Sequence, residues 1–546
     1  MAEVFGVNPR VRTDWLLLAG FCGFLFFYGL AYFGLVGADE PRYAQVAREM
    51  LARHDWITPT LGGNPWLEKP PLYYWQAMLA YRCFGVSDWA ARLPSAVDAT
   101  LLVIAIYLFF QRFRPGSQID AALMTASAAA IVGFARAASM DMALAASLTI
   151  ALLAWYTWHA SAARAYLWLS YVFLALGMLA KGPVAPCLAA VIVAIFAVAK
   201  RNYGILRRTL SIPGILIFCL IALPWYAAVQ LRNPDFFHAF ILQHNIERFG
   251  SNLYHHRQPF WYYIPVVLLG LLPWTVFAVA AVAETIRASW SKRREVFKAD
   301  AGKEDALNVF LLIWLFVPIA FFSISQSKLP GYILPALPAG ALLLAAYIRR
   351  HVAADHLPAT VPLVLHAVVT AGLVVPALLL GQILAIHHII WSTPALIALT
   401  FATTLAFGIA LTLRMRTGFR MLRFVTLIPL ILAVAAVLRL YAPALDNTLS
   451  ARPLAIELGK LASKPLPLAV FHIRRETEFG LAFYRDQVIT RYETGQVPQV
   501  EHIVVIPAGS HQDLLQQLAG RRALYLGSFA PQHLDYYWVS AQTPAP

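Results

Sequence analysis

Charge is scarce in this 546-residue sequence: Lys, Arg, Asp and Glu together make up 13% of it. Soluble globular chains carry about 25%, so most of this chain was not built to face water. Cysteine is scarcer still. Cys22, Cys83, Cys187 and Cys219 are scattered through apolar stretches, and none follows residue 219. That excludes a disulfide framework and a cysteine-based metal site. Basic residues outnumber acidic ones 43 to 28. The excess lies in small groups between apolar runs, which excludes a nucleic-acid-binding stripe and matches the positive-inside pattern of membrane proteins. No repeat of fixed short period stands out. No cleavable signal peptide is expected either. The first apolar run, Trp15 to Val36, is too long for a signal core and reads as a permanent span.

What the sequence has in abundance is apolar surface: 60% hydrophobic residues and a mean hydropathy of +0.63. A bilayer core of ~30 Å needs roughly 20 apolar residues per helical crossing. Such runs recur at about 15–36, 93–112, 120–138, 142–159, 166–181, 183–200, 211–230, 261–286, 307–324, 331–349, 360–382, 393–413 and 421–441. The expectation is a mainly α polytopic membrane bundle of about thirteen spans. Arg10 and Arg12, Arg112 and Arg114, Arg164, Lys200 to Arg208, Lys292 to Lys298, Arg349 and Arg350, and Arg414 to Arg420 fall on alternate connections. The positive-inside rule puts these in the cytoplasm and the other connections in the periplasm.

The domain division follows. Residues 1–441 form a transmembrane part with outer loops at about 37–92 and 231–260. Residues 442–546 turn polar and read as a small soluble periplasmic α/β domain, with strands at Leu466–Phe471, Gln487–Tyr492, His502–Ile506 and Ala523–Leu526. In the first outer loop, Asp39 to Arg53 reads as an amphipathic helix lying flat on the membrane. Tyr43, Val46, Ala47, Met50 and Leu51 make its apolar stripe. Pro71 to Gly85 is too short to span and reads as interfacial, with Tyr73, Tyr74 and Trp75 as membrane anchors.

Polar residues with chemical capacity gather on the outer connections. They are Asp39-Glu40-Pro41-Arg42-Tyr43, then Glu68-Lys69-Pro70-Pro71, then Arg136 and Asp141, then Lys181. A further set holds His244, Asn245, Glu247, Arg248, His255, His256 and Arg257, and the last runs from Lys328 to Tyr332. Each residue has a plainer reading. Asp39 suits a helix N-cap. Lys69, Lys181 and Lys328 suit snorkelling to headgroups, Arg136 an interfacial anchor, and Tyr332 an interfacial aromatic. Glu68, His255 and His256 are candidate metal ligands, yet no loop has tight ligand spacing. A divalent metal is allowed but not required, and no other cofactor is implied. The convergence of carboxylates and cations from five outer loops favours the functional reading. Lys and Arg can neutralise a phosphate, and carboxylates can hold a sugar or stabilise a developing cation.

The stretch GADEPRYAQVAREMLARHDWITPTLGGNPWLEKPPLYYW is similar to the first external loop of prenyl-phosphate-sugar-dependent membrane glycosyltransferases of the C-type fold, which include the protein O-mannosyltransferases. RAASMDMAL at Arg136–Leu144, LAKGP at Leu179–Pro183, HNIERF at His244–Phe249 and KLPGYILPALP at Lys328–Pro338 extend the likeness. Within that superfamily the chain resembles the bacterial undecaprenyl-phosphate 4-amino-4-deoxy-L-arabinose transferases that modify lipid A and confer polymyxin resistance.

The resemblance implies an inner-membrane enzyme with an undecaprenyl-phosphate-linked aminosugar donor, a lipid A phosphate acceptor and inversion at the anomeric carbon. It implies Asp39, Asp141 and Glu68 as catalytic residues. Lys69, Arg257, Tyr332 and Lys328 would contact the donor phosphate, with Arg248 and Lys181 as further candidates. Glu40, Arg42 and Tyr43, beside Asp39, are candidate acceptor or sugar contacts. Two other functions compete. A protein O-mannosyltransferase-like enzyme would use the same donor logic with a hydroxyl acceptor. A transporter would place its ionisable groups near the bilayer midplane and show paired halves, and neither feature is evident here.

Overall fold

The computed structural model describes residues 9–240, 258–291, 303–353, 359–384, 393–415, 418–461, 466–495, 497–518 and 520–542. It is a multi-pass membrane bundle. Among the described residues, eight helices are long and apolar enough to cross a bilayer, or up to ten if each of two bent pairs counts as one span. The eight include α4 (Asp88–Phe113) and α7 (Met140–Ser161). The expected spans at 15–36, 166–181 and 183–200 correspond to shorter or more polar helices. These are α1 (Pro9–Cys22) with its continuation Gly23–Phe27, α8 (Arg164–Lys181) and α9 (Val184–Ala199).

Two spans expected to be continuous are broken. The pair α5 (Gln118–Ala126) and α6 (Ala129–Ala135) bends by 64°, and Tyr263–Gly270 with Thr275–Ser291 by 115°. Pro273 cannot extend the second pair, because it has no N–H to give. The breaks meet. The Ala129 amide donates to the Leu272 carbonyl at 2.8 Å, and Trp274 Nε1 donates to Ser127 Oγ at 2.9 Å. Polar backbone freed inside a bundle needs partners there, and each break supplies them to the other.

The first loop differs from its expected form. Helix α2 (Asp39–Ala52) is present, but its stripe does not face lipid. Tyr43, Val46, Ala47 and Met50 are buried against Tyr73, Tyr74, Ala77 and Met78 of α3 (Leu72–Phe84). Tyr73 and Tyr74 are therefore core residues, not membrane anchors. The Tyr73 hydroxyl donates to the Ala91 carbonyl at 2.8 Å. A short hairpin that the sequence reading missed, β1 (Thr60–Leu61) and β2 (Asn64–Pro65), follows α2.

Beyond Leu440 come four helices, Ala442–Leu449, Arg452–Lys460, Arg475–Arg485 and His511–Gln517, and a mixed five-stranded sheet. Its strands are β3 (Leu468–Val470), β4 (Thr490–Arg491), β5 (His502–Pro507), β6 (Ala523–Phe529) and β7 (Leu534–Val539), in the order β4-β3-β5-β7-β6. Strand β7 was not expected. Its run LDYYWV has no clean alternation, because Tyr536 and Tyr537, on opposite faces, are both buried.

This C-terminal region is bolted to the chain that enters α2. Arg452 contacts Asp88 at 2.7 Å, Asp446 at 2.6 Å and the carbonyls of Ala31 and Tyr32 at 3.0 and 3.2 Å. The Gly34 amide donates to Asp446 at 2.7 Å, and the Leu35 amide to the Tyr484 hydroxyl at 2.7 Å. That hydroxyl in turn donates to Asp88. A methyl group on Gly34 would lie 2.6 Å from the Tyr484 hydroxyl, so only glycine fits.

Candidate active site

The site lies at the end of the bundle where α2 and α3 sit, where α7 begins and where α8 ends. Asp39 opens α2, but it is not the N-cap. Ala38 holds that position, and no side chain caps the helix. The Asp39 carboxylate is 59% exposed and accepts from Arg42 at 2.5 Å. The Arg42 guanidinium packs over Tyr43, Trp66 and Phe479 at 5.1, 5.2 and 5.8 Å. Burial opposes its charge, but Tyr43, Asp39 and Glu68 outweigh burial and hold it ionised. Glu68 and Lys69 project from the loop before α3. The field of Glu68 reaches Arg42, and that of Lys69 reaches Asp141. Burial first, then Asp39 and Asp141, push the Tyr43 phenol up, against the pull of Arg42. Tyr43 thus lies within the field of both aspartates.

Asp141 starts α7. Its carboxylate accepts from Ser139 Oγ at 2.8 Å and from the Lys181 ammonium at the end of α8. Lys181 Nζ also sits 4.7 Å from the Tyr332 ring centroid. Gly331 makes this packing possible. A Cβ there would lie 2.8 Å from both Asp141 Cγ and Oδ1. Five segments thus bring together Asp39, Arg42, Tyr43, Glu68, Lys69, Asp141, Lys181 and Tyr332. The arrangement offers cations for a phosphate beside carboxylates for a cationic or polarised sugar.

Three residues sit in settings that their sequence reading did not anticipate. Glu40 is not free to hold a sugar. It is buried, and its two oxygens accept from Arg92 at 2.6 and 3.2 Å, from the Val36 amide at 2.8 Å and from the Ala138 amide at 2.7 Å. Lys328 is buried and donates to the Ser325 carbonyl of its own loop at 2.5 Å. Arg136 is not a lipid anchor. It caps the end of the first helical segment through the carbonyls of Leu25, Tyr28 and Gly29 at 3.0, 2.8 and 3.1 Å. Sequence reasoning missed Arg92, which meets the carbonyls of Leu30, Phe33 and Gly34 besides Glu40. An arginine in the first turns of a long apolar helix was the available signal. Arg248, Arg257, His255 and His256 lie outside the described residues. Among the described residues no three His, Cys, Asp or Glu side chains gather as a metal site.

Residues 15–240 match a family described as dolichyl-phosphate-mannose-protein mannosyltransferase. Among curated proteins, the chain is 32% identical over 349 residues to the undecaprenyl phosphate-alpha-4-amino-4-deoxy-L-arabinose arabinosyl transferase of Pseudomonas aeruginosa, a match covering 62% of this chain and 60% of that protein. The enzyme of the same name from Serratia proteamaculans is 32% identical over 357 residues, covering 63% and 61%. The chain thus matches about 60% of the length of these relatives. Among solved structures, ArnT from Cupriavidus metallidurans bound to undecaprenyl phosphate aligns with a TM-score of 0.77 at 22% identity, over 96% of this chain and 98% of that one. The apo form aligns with a TM-score of 0.76 at 21% identity, over 98% and 100%. The chain has the fold of that protein.

Proposed function

We propose that this protein moves 4-amino-4-deoxy-L-arabinose from undecaprenyl phosphate to a phosphate group of lipid A at the periplasmic face of the inner membrane. The observation that carries the reading is the meeting of Asp39 with Arg42, Lys69 and the Asp141–Lys181 pair at one end of the bundle. The curated relatives supply the sugar and the lipid carrier. The basic connections at Arg112, Lys200 to Arg208 and Arg349 lie at the opposite end, so the positive-inside rule turns the site outward. The N-terminus is then cytoplasmic and the C-terminal sheet periplasmic.

A phosphate acceptor makes the chemistry simple. An acceptor oxygen, already ionised near neutral pH, attacks the anomeric carbon from the face opposite the leaving group. The C–O bond to undecaprenyl phosphate breaks, and its electron pair leaves with that phosphate, which gains one negative charge. Lys69 and Lys181, the cations nearest Asp141, would receive that charge. No proton need be removed, so Asp39 is free to orient the sugar and attract its ammonium group. The anomeric configuration inverts.

Purified protein, synthetic donor and lipid A provide the test, with products read by mass spectrometry. Aminoarabinosylated lipid A and free undecaprenyl phosphate are expected. The mannosyltransferase likeness of residues 15–240 favours one rival, transfer to a protein hydroxyl. Sugar found on serine or threonine and absent from lipid A would replace the first reading with the second.

A further inference from the structure

A groove of about 330 Å³ runs down the flank of the bundle, away from the candidate active site. Its walls include Trp155 of α7, Leu167 and Leu174 of α8, Pro186 and Val193 of α9, and Phe218 of α11 (Ile212–Arg232). Leu167 to Leu174 and Pro186 to Val193 are each steps of seven residues, a rise of about 10 Å along a helix. The groove therefore lies along the helices, in the direction of bilayer chains. Ala189 and Ala190 keep it open by leaving room that larger side chains would take. Polar groups in the wall are spent on one another. Trp155 Nε1 donates to Thr209 Oγ1 at 3.1 Å, and the Tyr171 hydroxyl donates to the Thr209 carbonyl at 2.8 Å. What the groove offers is hydrocarbon. Hydrocarbon alone does not prefer one lipid to another, so selectivity has to come from an end.

One end is charged. Leu206, Thr209 and Leu210 line the groove there, and Arg207 and Arg208 lie among them in the short helix α10 (Gly204–Thr209). Arg201, Arg207 and Arg208 are exposed. Among the described residues none of the three forms an ion pair, whereas Arg350 and Arg423 at the same end of the bundle meet Glu284 at 3.1 Å and Asp120 at 3.2 Å. The fields of Arg208 and Lys200 both reach His159. The His159 ring stacks on Trp155 at 5.5 Å, so these cations stand beside the groove wall. Tyr203, also exposed, is an aromatic of the kind that settles at headgroup level. Trp155, which holds Thr209, is fourteen residues along α7 from Asp141, a rise of about 21 Å. A phosphate at Arg207 and Arg208 is therefore a different one from the phosphate proposed for Lys69 and Lys181.

We propose that the groove and its cationic end bind one anionic phospholipid, with an acyl chain in the groove and the headgroup on Arg207 and Arg208. Basic pockets between spans suit such headgroups, and arginine gives phosphate charge-assisted hydrogen bonds. A zwitterionic headgroup brings its own cation, which the cluster repels. Native mass spectrometry of the full-length protein in detergent provides the test, with titration by phosphatidylglycerol or by phosphatidylcholine of the same chains. Wild type should bind phosphatidylglycerol at least tenfold more tightly. Arg207→Gln combined with Arg208→Gln should abolish that preference; both side chains are exposed, so the variant is expected to fold. Ala190→Phe, at another exposed position, should fill the groove and weaken binding of both lipids at least tenfold. Equal affinity of wild type for the two lipids overturns the proposal, as does a preference that survives the arginine substitutions. Unchanged binding by Ala190→Phe removes the groove from it. Release of phosphatidylglycerol by one equivalent of undecaprenyl phosphate would give the groove to a prenyl chain and also overturn it. Neither phospholipid takes part in sugar transfer, so failure here leaves the transferase reading intact, and failure of transfer leaves this site standing.

Discussion

Asp39 and Glu40 are adjacent in sequence, and each meets an arginine, yet the two pairs sit in different media. Glu40 and Arg92 have side chains 7% and 1% exposed, and both are saturated by backbone groups on every side. Asp39 is 59% exposed and has only Arg42 in hydrogen-bond contact among the described residues. A buried ion pair with all its lone pairs met fixes a geometry. An exposed carboxylate beside a held cation keeps its capacity for a ligand. One turn of helix thus anchors itself with one acid and presents the other, and the anchor determines where the presented group stands.

Breaking the anchor should have the largest effect. Arg92→Leu leaves a buried carboxylate unpaired, a loss of about 3–5 kcal/mol. Little folded protein is expected, which size-exclusion chromatography and thermal unfolding in detergent would register. Wild-type-like melting of that variant would erase the distinction between the two pairs. Asp39→Asn should do the reverse, with unchanged melting and transfer reduced at least a hundredfold. Since Asp39 caps nothing, retained activity would move it out of the chemistry altogether.

Lys69→Ala should be intermediate. Losing one charge-assisted contact of about 1.5–3 kcal/mol should weaken undecaprenyl-phosphate binding roughly tenfold to a hundredfold, as measured on purified protein in detergent. Unchanged affinity would assign the donor phosphate to Lys181 or to the segment 241–257. The smallest effect is expected from EDTA, with transfer rates within about twofold of untreated protein, because the proposed phosphate contacts are side-chain cations. Strong inhibition reversed by a divalent ion would turn attention to His255 and His256.

Much of this was legible beforehand, and the parts that were not share a cause. Span positions follow from composition, which acts locally. The DEPRY and EKPP stretches, LAKGP and KLPGY announce themselves because several charged and aromatic residue types crowd a few positions between or at the ends of apolar runs. Glu40 was misjudged because its partner lies 52 residues away, and nothing in DEPRY says which acid turns inward. Tyr73 and Tyr74 look like interfacial anchors until α2 covers them. The broken helices escaped notice because Leu272 and Ala129 satisfy each other only in three dimensions. Hydropathy averaged along one chain does not detect such pairings.

The bond from Gly34 to Asp446 joins residues 412 positions apart, and this has a consequence for how the protein comes into being. Chains are made from the N-terminus at about 5–20 residues per second. The segment leading into Asp39 therefore waits roughly 20–80 seconds for the residues that hold it: Asp446, Arg452 and Tyr484. Until that late stretch has been made and packed against it, the entry to α2 lacks these three partners. Completion of the chain is thus what fixes the entry to α2 in place.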